Sequence, residues 1–163
     1  MRAILAVSVL MTLTACQAPP AEMTEAEKAQ IEAQVLAATD VYTDALEAKD
    51  AEILKGILHP TETSWVWGGT IRDYTTFPER LATLMEPWET WEGGWTQRTV
   101  KVLSPEAVMF QGEYEVTTHY EDGSVLHWPG NANVTALFEL TADGWKITMA
   151  DFDNGASEVV EEG

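Results

Sequence analysis

Asp151 is the residue of this sequence best suited to act as a general acid or base. It stands two, four and six positions after Met149, Ile147 and Trp145, and alternate residues of a β-strand share one face of a sheet. The pattern therefore predicts that Asp151 lies on an apolar face. A poorly hydrated carboxylate favours its neutral form, which raises its pKa and suits proton transfer. The alternative is that the strand has already reached water, because carboxylates are seldom buried without a partner.

Aromatic side chains form the second group that predicts a site. The chain has seven tryptophans and four tyrosines, and such rings line pockets for apolar, aromatic or sugar ligands. Some of them, Trp145 included, are expected to pack in the core instead. The residues predicted to line a ligand pocket are Trp67, Tyr74, Trp88, Trp91, Trp95, Tyr114 and Trp128.

The histidines do not predict a metal site. His119 and His127 belong to no short His-x-His or Glu-x-x-His spacing, and solvated histidines on an exposed sheet face are the favoured interpretation. The sequence also lacks a serine or cysteine nucleophile motif and a glycine-rich phosphate loop. We therefore expect no metal and no cofactor.

The N-terminal residues predict export and attachment to a membrane by lipid. Arg2 precedes an apolar run from Ile4 to Leu13, as in a secretory signal peptide. The run is too short to span a bilayer, which takes roughly 20 residues. The segment Leu13-Thr14-Ala15-Cys16 resembles the lipobox of bacterial lipoproteins. That resemblance implies cleavage before Cys16, acylation of Cys16 and, because Gln17 follows, an outer-membrane location facing the periplasm. An ordinary signal peptide with a chance cysteine is the alternative.

Charge and cysteine content exclude several classes of protein. The formal net charge of −18 repels phosphate backbones and anionic headgroups, which excludes nucleic-acid binding and leaves the lipid as the only membrane contact. Cys16 is the single cysteine, so no disulfide can form within the chain and the core alone must stabilise the domain.

Capping signals and helical periodicity predict three helices in the first half of the chain. Thr24 and Glu27 match a capping box that starts a long amphipathic helix, and Asp50 caps a second, shorter one. Residues 63–74 have the composition of two short strands joined by a turn, and a third helix begins near Thr76. The residues that position the candidate site therefore follow a helical layer.

From Trp91 onward the sequence predicts four long antiparallel strands, separated by turns at residues 104–106, 121–123 and 141–144. A three-residue hairpin ending at Gly123 and a four-residue loop before Trp145 set the register. The predicted partners are Val116–Trp128, Phe110–Val134, Leu140–Trp145, Phe138–Ile147 and Ala136–Met149. This register makes one sheet face almost wholly apolar, although Pro129-Gly130 is a candidate for a bulge.

This order of elements resembles the nuclear transport factor 2-like superfamily. The features that carry the resemblance are Ala48-Lys49-Asp50 after the first helix, Val102-Leu103-Ser104-Pro105 before a strand, and Thr135 ahead of the turn Asp143-Gly144-Trp145-Lys146-Ile147. SnoaL-like and ketosteroid isomerase-like cone folds are the most similar members. The resemblance implies an α+β, cone-shaped fold, in which three N-terminal helices pack into a curved, mainly antiparallel sheet around an apolar pocket. It also implies a homodimer through the outer sheet face.

The resemblance does not transfer a mechanism. Many relatives carry a histidine at the position of Asp151 and often a serine at that of Asp153. The predicted organisation is a signal peptide at 1–15, a tether at 16–23, the domain at 24–154 and a disordered acidic tail at 155–163.

Three functions remain open. One is a lipoprotein whose pocket binds a small apolar or aromatic molecule. Another is an enzyme of proton-transfer or hydration chemistry with Asp151 as base, and the third is an interaction protein that uses its sheet face. A filled cone favours the third.

Overall fold

Three helices precede the long strands, in the order that the sequence predicts. A computed structural model describes residues 22–60, 64–67, 70–73, 77–153 and 158–160. The helices are α1 (Glu25–Glu47), α2 (Ala51–Ile57) and α3 (Phe77–Met85). The strands are β1 (Ser64–Trp67), β2 (Thr70–Asp73), β3 (Trp88–Ser104), β4 (Ala107–Tyr120), β5 (Val125–Thr141), β6 (Gly144–Asp153) and β7 (Glu158–Val160). The first long strand begins at Trp88, three residues before the predicted start.

The seven strands form one sheet whose order is β2-β1-β6-β5-β4-β3, with β7 paired to β5. All pairs are antiparallel except β1 with β6. The helices pack against one face of this sheet, and the core lies between them. The predicted α+β architecture of three helices and a curved, mainly antiparallel sheet is confirmed.

Helix α1 is held at its start by its cap and along its length by the sheet. Thr24 and Glu27 form the predicted capping box, which satisfies backbone N–H groups that the helix leaves unpaired. Val35 and Ala45 are completely buried. The guanidinium of Arg98 on β3 donates to the carbonyl oxygen of Leu36 (3.3 Å) and also pairs with a carboxylate of α1. These contacts fix α1 against the part of the sheet that contains Arg98.

The sheet bends at the level of Tyr114 and Val116. Both strands that pair with β4 have extra residues at this level. On β3, the pairing with β4 shifts between Trp95 and Gln97. On β5, Pro129 to Asn131 stand opposite the single residue Glu115. Such bulges bend a strand and increase its twist. The bend turns the sheet into a cone that closes around α1.

The bulge on β5 shifts the register by two residues and therefore preserves which face each side chain occupies. The predicted partners Val116 and Trp128 are confirmed, whereas Phe110 pairs with Ala136 and the predicted pairing with Val134 is wrong. The additional residues at Pro129–Asn131 cause the difference.

A second bulge, on β6, reverses the faces. The predicted pairs Leu140–Trp145 and Phe138–Ile147 are confirmed. Thr148 is an extra residue, so Ala136 pairs with Ala150 and the predicted pairing with Met149 is wrong. A shift of one residue exchanges inner and outer side chains along the rest of a strand. After Thr148, the even-numbered residues of β6 therefore face the core.

Strand β3 lies at one end of the sheet and is irregular along its whole length. Its pairing with β4 shifts between Trp88 and Thr90, between Trp95 and Gln97, and between Val102 and Ser104. Gly93 has a φ of 150°, and a Cβ there would lie 2.2 Å from the carbonyl oxygen of Glu115. Only glycine permits this close approach of the two backbones.

Part of the predicted disordered tail is a strand. β7 pairs with the start of β5 through Leu126–Val159 and its neighbours. β6 ends at Asp153, so it leaves this part of β5 without a partner on that side, and the β-branched residues Val159 and Val160 suit strand pairing. Among the described helices, none combines the length and apolar character needed to cross a bilayer.

Candidate functional site

The inner end of the cone is lined by aromatic side chains from four elements. α1 contributes Tyr42, because its helical spacing from Val35 and Ala45 turns it toward the sheet. β3 contributes Trp95 at the bend, β4 contributes Phe110 and Tyr114, and β6 contributes Phe152 after the bulge. The ring centroids of Trp95 lie 5.2 Å from Phe110, 5.9 Å from Tyr114 and 6.4 Å from Tyr42. Tyr42 also lies 6.1 Å from Phe152.

The space enclosed by these side chains is almost filled. A void of about 10 Å³ remains among them, which is room for about one water molecule. Its lining is Thr39, Tyr42, Trp95, Phe110, Val134, Ala136, Phe138, Ile147 and Phe152. In this part of the described cone there is no space for an organic ligand without a rearrangement of side chains.

Two phenols supply the polar groups of this aromatic cluster. Burial raises the pKa of Tyr42 far above its ordinary value, with a further contribution from nearby Tyr114. Burial also raises the pKa of Tyr114 to about 12, and the negative charge of Asp153 adds to the effect. Both phenols are therefore neutral at physiological pH and can donate a hydrogen bond to a ligand oxygen.

Asp151 lies on the outer face of the sheet, and its predicted place on the apolar face is wrong. It pairs with Thr135 on β5 and Val66 on β1 and is exposed, whereas its neighbours Ala150 and Phe152 are buried. The extra residue Thr148 is the physical reason, because it reverses the alternation on which the prediction depended. The carboxylate that acts electrostatically on the aromatic cluster is that of Asp153.

The structure brings two of the predicted pocket residues, Trp95 and Tyr114, into the aromatic cluster. Trp88 and Trp91 are 5% and 6% exposed and belong to the hydrophobic core, on the side of the bend nearer the turn at residues 121–124. Neither lines the void beside Trp95, and their contact with a ligand stays a prediction. Trp128 is half-buried beside Val116 and lies on the same side of the bend as Trp88 and Trp91.

Trp67 and Tyr74 have no described side chain. Trp67 lies in β1, where its backbone pairs with Phe152, and its side chain is outside the described part. Tyr74 lies outside the described residues altogether.

Sequence reasoning missed Phe152 as a site residue. The signal for Phe152 was present in β6, where apolar residues change from odd to even positions between Ile147 and Phe152. That change of parity is what a one-residue bulge produces.

The outer face of the sheet carries the two histidines, as predicted. His127 Nδ1 lies 3.0 Å from the hydroxyl of Thr117, and its Nε2 lies 3.9 Å from a carboxylate oxygen of Glu115. In the described ranges, no three His, Cys, Asp or Glu residues come together in an arrangement that could hold a metal ion.

Residues 35–151 match the family model of the SnoaL-like domain. Solved structures share the fold at low sequence identity. A nuclear transport factor 2-like superfamily protein from Salmonella enterica serovar Typhimurium LT2 is 16% identical with a TM-score of 0.71, covering 83% of this chain and 99% of that one. A search of curated proteins finds no significant match in sequence.

Two hexachlorocyclohexane dehydrochlorinases are also similar. The type 3 enzyme from Novosphingobium barchaimii LL02 is 14% identical with a TM-score of 0.65, covering 84% of this chain and 94% of the enzyme. A type 2 enzyme is 14% identical with a TM-score of 0.67 over 85% of this chain and 94% of the enzyme. At these identities the likeness establishes the fold and leaves the reaction open.

Proposed function

This chain belongs to the SnoaL-like domain family of the nuclear transport factor 2-like superfamily, and we propose that it is an envelope lipoprotein which binds one small aromatic molecule in its cone. The observation that carries the proposal is the cluster of Tyr42, Trp95, Tyr114 and Phe152, where two neutral phenols stand among apolar rings. Sites of this composition recognise a flat apolar body and orient it through one or two hydrogen bonds. The cone is almost filled, which on its own favours the interaction protein, so ligand binding requires that a side chain moves.

The binding proposal is tested with 2-naphthol as probe. Native mass spectrometry and titration calorimetry on the full chain should detect one molecule per chain. Tyr114→Phe removes one phenol donor and should weaken binding by about 2- to 13-fold, the equivalent of a hydrogen bond worth ~0.5–1.5 kcal/mol.

Tyr120→Phe is the matched control for this experiment. Tyr120 is on the same strand and is also half-buried, but it lies beside Trp88, on the side of the bend nearer the turn at residues 121–124. Its loss should leave the affinity unchanged. Failure of the wild type to bind the probe, or an equal loss in both variants, contradicts the proposal.

A second candidate function is proton-transfer or hydration chemistry on a bound ligand. The negative charge of Asp153, which together with burial raises the pKa of Tyr114, favours it, because proton transfer at the cone needs a neutral phenol and a base. Asp153→Asn should then abolish turnover of a hydratable aromatic substrate while 2-naphthol still binds. Asp151→Asn is the matched control on the same strand. Retained turnover in Asp153→Asn would exclude this candidate.

The lipid anchor remains part of the proposal and rests on the sequence around Cys16. Acyl chains contribute about 0.8 kcal/mol per buried methylene, so several chains attach a protein firmly. Cys16→Ser should abolish acylation and move the protein from the detergent phase to the aqueous phase in detergent partitioning. Equal partitioning of wild type and variant would contradict lipid attachment.

A homodimer through the outer sheet face is also proposed. Met109, Leu137 and Met149 stand directly opposite one another on three neighbouring strands, and the two methionines are 39% and 53% exposed. Two copies of this apolar stripe can cover each other in a two-fold, self-complementary interface.

The test of the dimer is the oligomeric mass by light scattering at micromolar concentration. The wild type should have twice the mass of the monomer, and Leu137→Lys should be monomeric. Val41→Lys, at an exposed apolar position of α1, is the control that should stay dimeric. A monomeric wild type would remove the proposal.

A further inference from the structure

The filled interior of the cone conflicts with ligand binding unless a side chain moves. Pockets for small molecules usually have volumes of about 300–1,000 Å³, whereas the void beside Tyr42 and Trp95 has about 10 Å³. Ligand binding as proposed above therefore requires one side chain to leave the interior and the ligand to take its place, and this requirement rests on the proposed binding function.

The indole of Trp95 occupies the centre of the aromatic cluster. Its ring lies edge-on to Phe110 and Tyr114, and its Nε1 donates a hydrogen bond to the carbonyl oxygen of Thr39 at 3.2 Å. Gly112 makes room for it, because a Cβ at that position would lie 2.6 Å from Cζ3 of the indole. The slot therefore has the shape of a flat bicyclic ring with one hydrogen-bond donor at its edge.

Trp95 is also the boundary between the interior and the outside. It lines the interior void and, at the same time, an open groove of about 440 Å³ that includes Gly93, Gly94 and Thr96. Among the described residues, no other lines both spaces. The groove lies on the outer face of β3 and the indole on the inner face, but β3 is the end strand, so removal of the indole from its slot would open the interior at this edge of the sheet.

The backbone around Trp95 permits such a movement. The residue lies on β3, at the end of the sheet, where the pairing with β4 is interrupted between Trp95 and Gln97. Gly93 and Gly94 precede it, and Gly93 has the φ of 150° that other residues rarely adopt. An irregular end strand with two glycines is held by fewer hydrogen bonds than a central strand, so it opens locally at low cost.

We propose that the indole of Trp95 is a built-in occupant of the ligand slot. The ligand is a flat bicyclic aromatic molecule that carries an N–H or O–H donor. It displaces the indole toward the open edge of β3 and donates to the Thr39 carbonyl oxygen in its place. The ligand's hydrogen bond to Thr39 replaces that of the indole, so the number of hydrogen bonds is unchanged. The ligand ring also takes over the contacts that the indole makes with Phe110 and Tyr114.

The movement of the indole is measured by ¹⁹F NMR on full-length protein labelled with 5-fluorotryptophan. The chain has seven tryptophans, and Trp95→Phe identifies the Trp95 signal by its loss. Saturating 2-naphthol should move that signal to the position of solvent-exposed fluorotryptophan, with a solvent isotope shift between H₂O and D₂O. The signal of buried Trp145, whose Nε1 donates to Gln34, should not change.

Variants test the slot without a ligand. Gly112→Ala places a methyl group where the indole ring lies and should move the Trp95 signal toward the exposed position in the free protein. Gly56→Ala, at a glycine with open space around its Cβ, is the matched control and should leave the signal in place. Naphthalene, which lacks the donor, should bind about 2- to 13-fold more weakly than 2-naphthol.

Three outcomes separate this inference from the proposed function. If 2-naphthol binds while the Trp95 signal keeps its buried position, the inference is overturned and the binding function stands. If only Trp95→Ala binds 2-naphthol, the indole is a fixed part of the core and the inference is again overturned. If neither the wild type nor Trp95→Ala binds the probe, the proposed function fails with it.

Discussion

Substitutions at a buried position of β6 and at the exposed position next to it test the bulge at Thr148. This bulge decides which side chains of β6 face the cone. Ala150 is completely buried and pairs with Ala136, whereas the adjacent Asp151 is exposed. Ala150→Asp should therefore place a carboxylate inside the apolar cone, and Asp151→Ala should remove one from the surface. If Thr148 were a regular strand residue, the two effects would be reversed.

The expected magnitudes differ enough to be measured in one experiment. A buried charge without a partner costs about 3–5 kcal/mol, a large part of the 5–15 kcal/mol that typically stabilises a domain. With a urea m value of ~2 kcal/mol/M, the unfolding midpoint of Ala150→Asp should fall by roughly 2 M. Asp151→Ala should change the free energy of unfolding by less than about 0.5 kcal/mol.

The pH dependence of Ala150→Asp provides a second measurement. An aspartate in the apolar cone should have a raised pKa. Above the unfolded-state value of about 4 the unfolded chain releases this proton and the folded chain keeps it, so the stability of the variant should fall as pH rises from 4 to 7.

Urea titrations followed by circular dichroism check both expectations, with Ala150→Ser as a control for size alone. Ala150→Ser adds an uncharged polar group at the same position. It should lower the stability less than Ala150→Asp does, and its effect should not depend on pH. Equal midpoints for Ala150→Asp and Asp151→Ala, or a larger loss for the latter, would refute the assigned bulge.

Two further predictions concern stability. Tyr114→Phe should reduce the loss of stability between pH 10 and 12 in alkaline unfolding. The raised pKa of Tyr114, about 12 against 10, makes the unfolded state release its proton first, so that stability falls with pH by at most ~2.7 kcal/mol. An alkaline profile identical to that of the wild type would contradict this. Thr24→Ala should cost about 1 kcal/mol in urea unfolding because it removes the capping box of α1, and Thr43→Ala, on the exposed side of the same helix, serves as the comparison. A smaller loss for Thr24→Ala than for Thr43→Ala would show that the cap contributes little.

The local signals of the sequence were sufficient for the helices and for the strand pairs nearest to the turns. Thr24 and Asp50 cap α1 and α2 as their side chains predict. The pairs Leu140–Trp145 and Val116–Trp128 follow from the length of the adjacent turns, because a short turn leaves few possible registers.

The candidate site was harder to predict, because each bulge that is not recognised shifts the predicted register of all residues beyond it in the strand. One extra residue at Thr148 moved Asp151 from the inner to the outer face and brought Phe152 inside. The change of apolar residues from odd to even positions between Ile147 and Phe152 indicates a bulge, but the position of the extra residue depends on how the whole sheet bends around α1. Trp95 and Tyr114 precede this bulge in the chain and lie in the aromatic cluster, and their contact with a ligand stays a prediction.

The irregular end strand β3 also protects the protein against association with further strands. An end strand with regular, unpaired N–H and C=O groups is a template on which another chain can add and grow into an aggregate. The three interruptions of β3 and the positive φ of Gly93 bend and twist this edge, so that it does not match a straight strand along its length. The edge can therefore stay open, as a movable Trp95 requires, without the risk that fibres form along it.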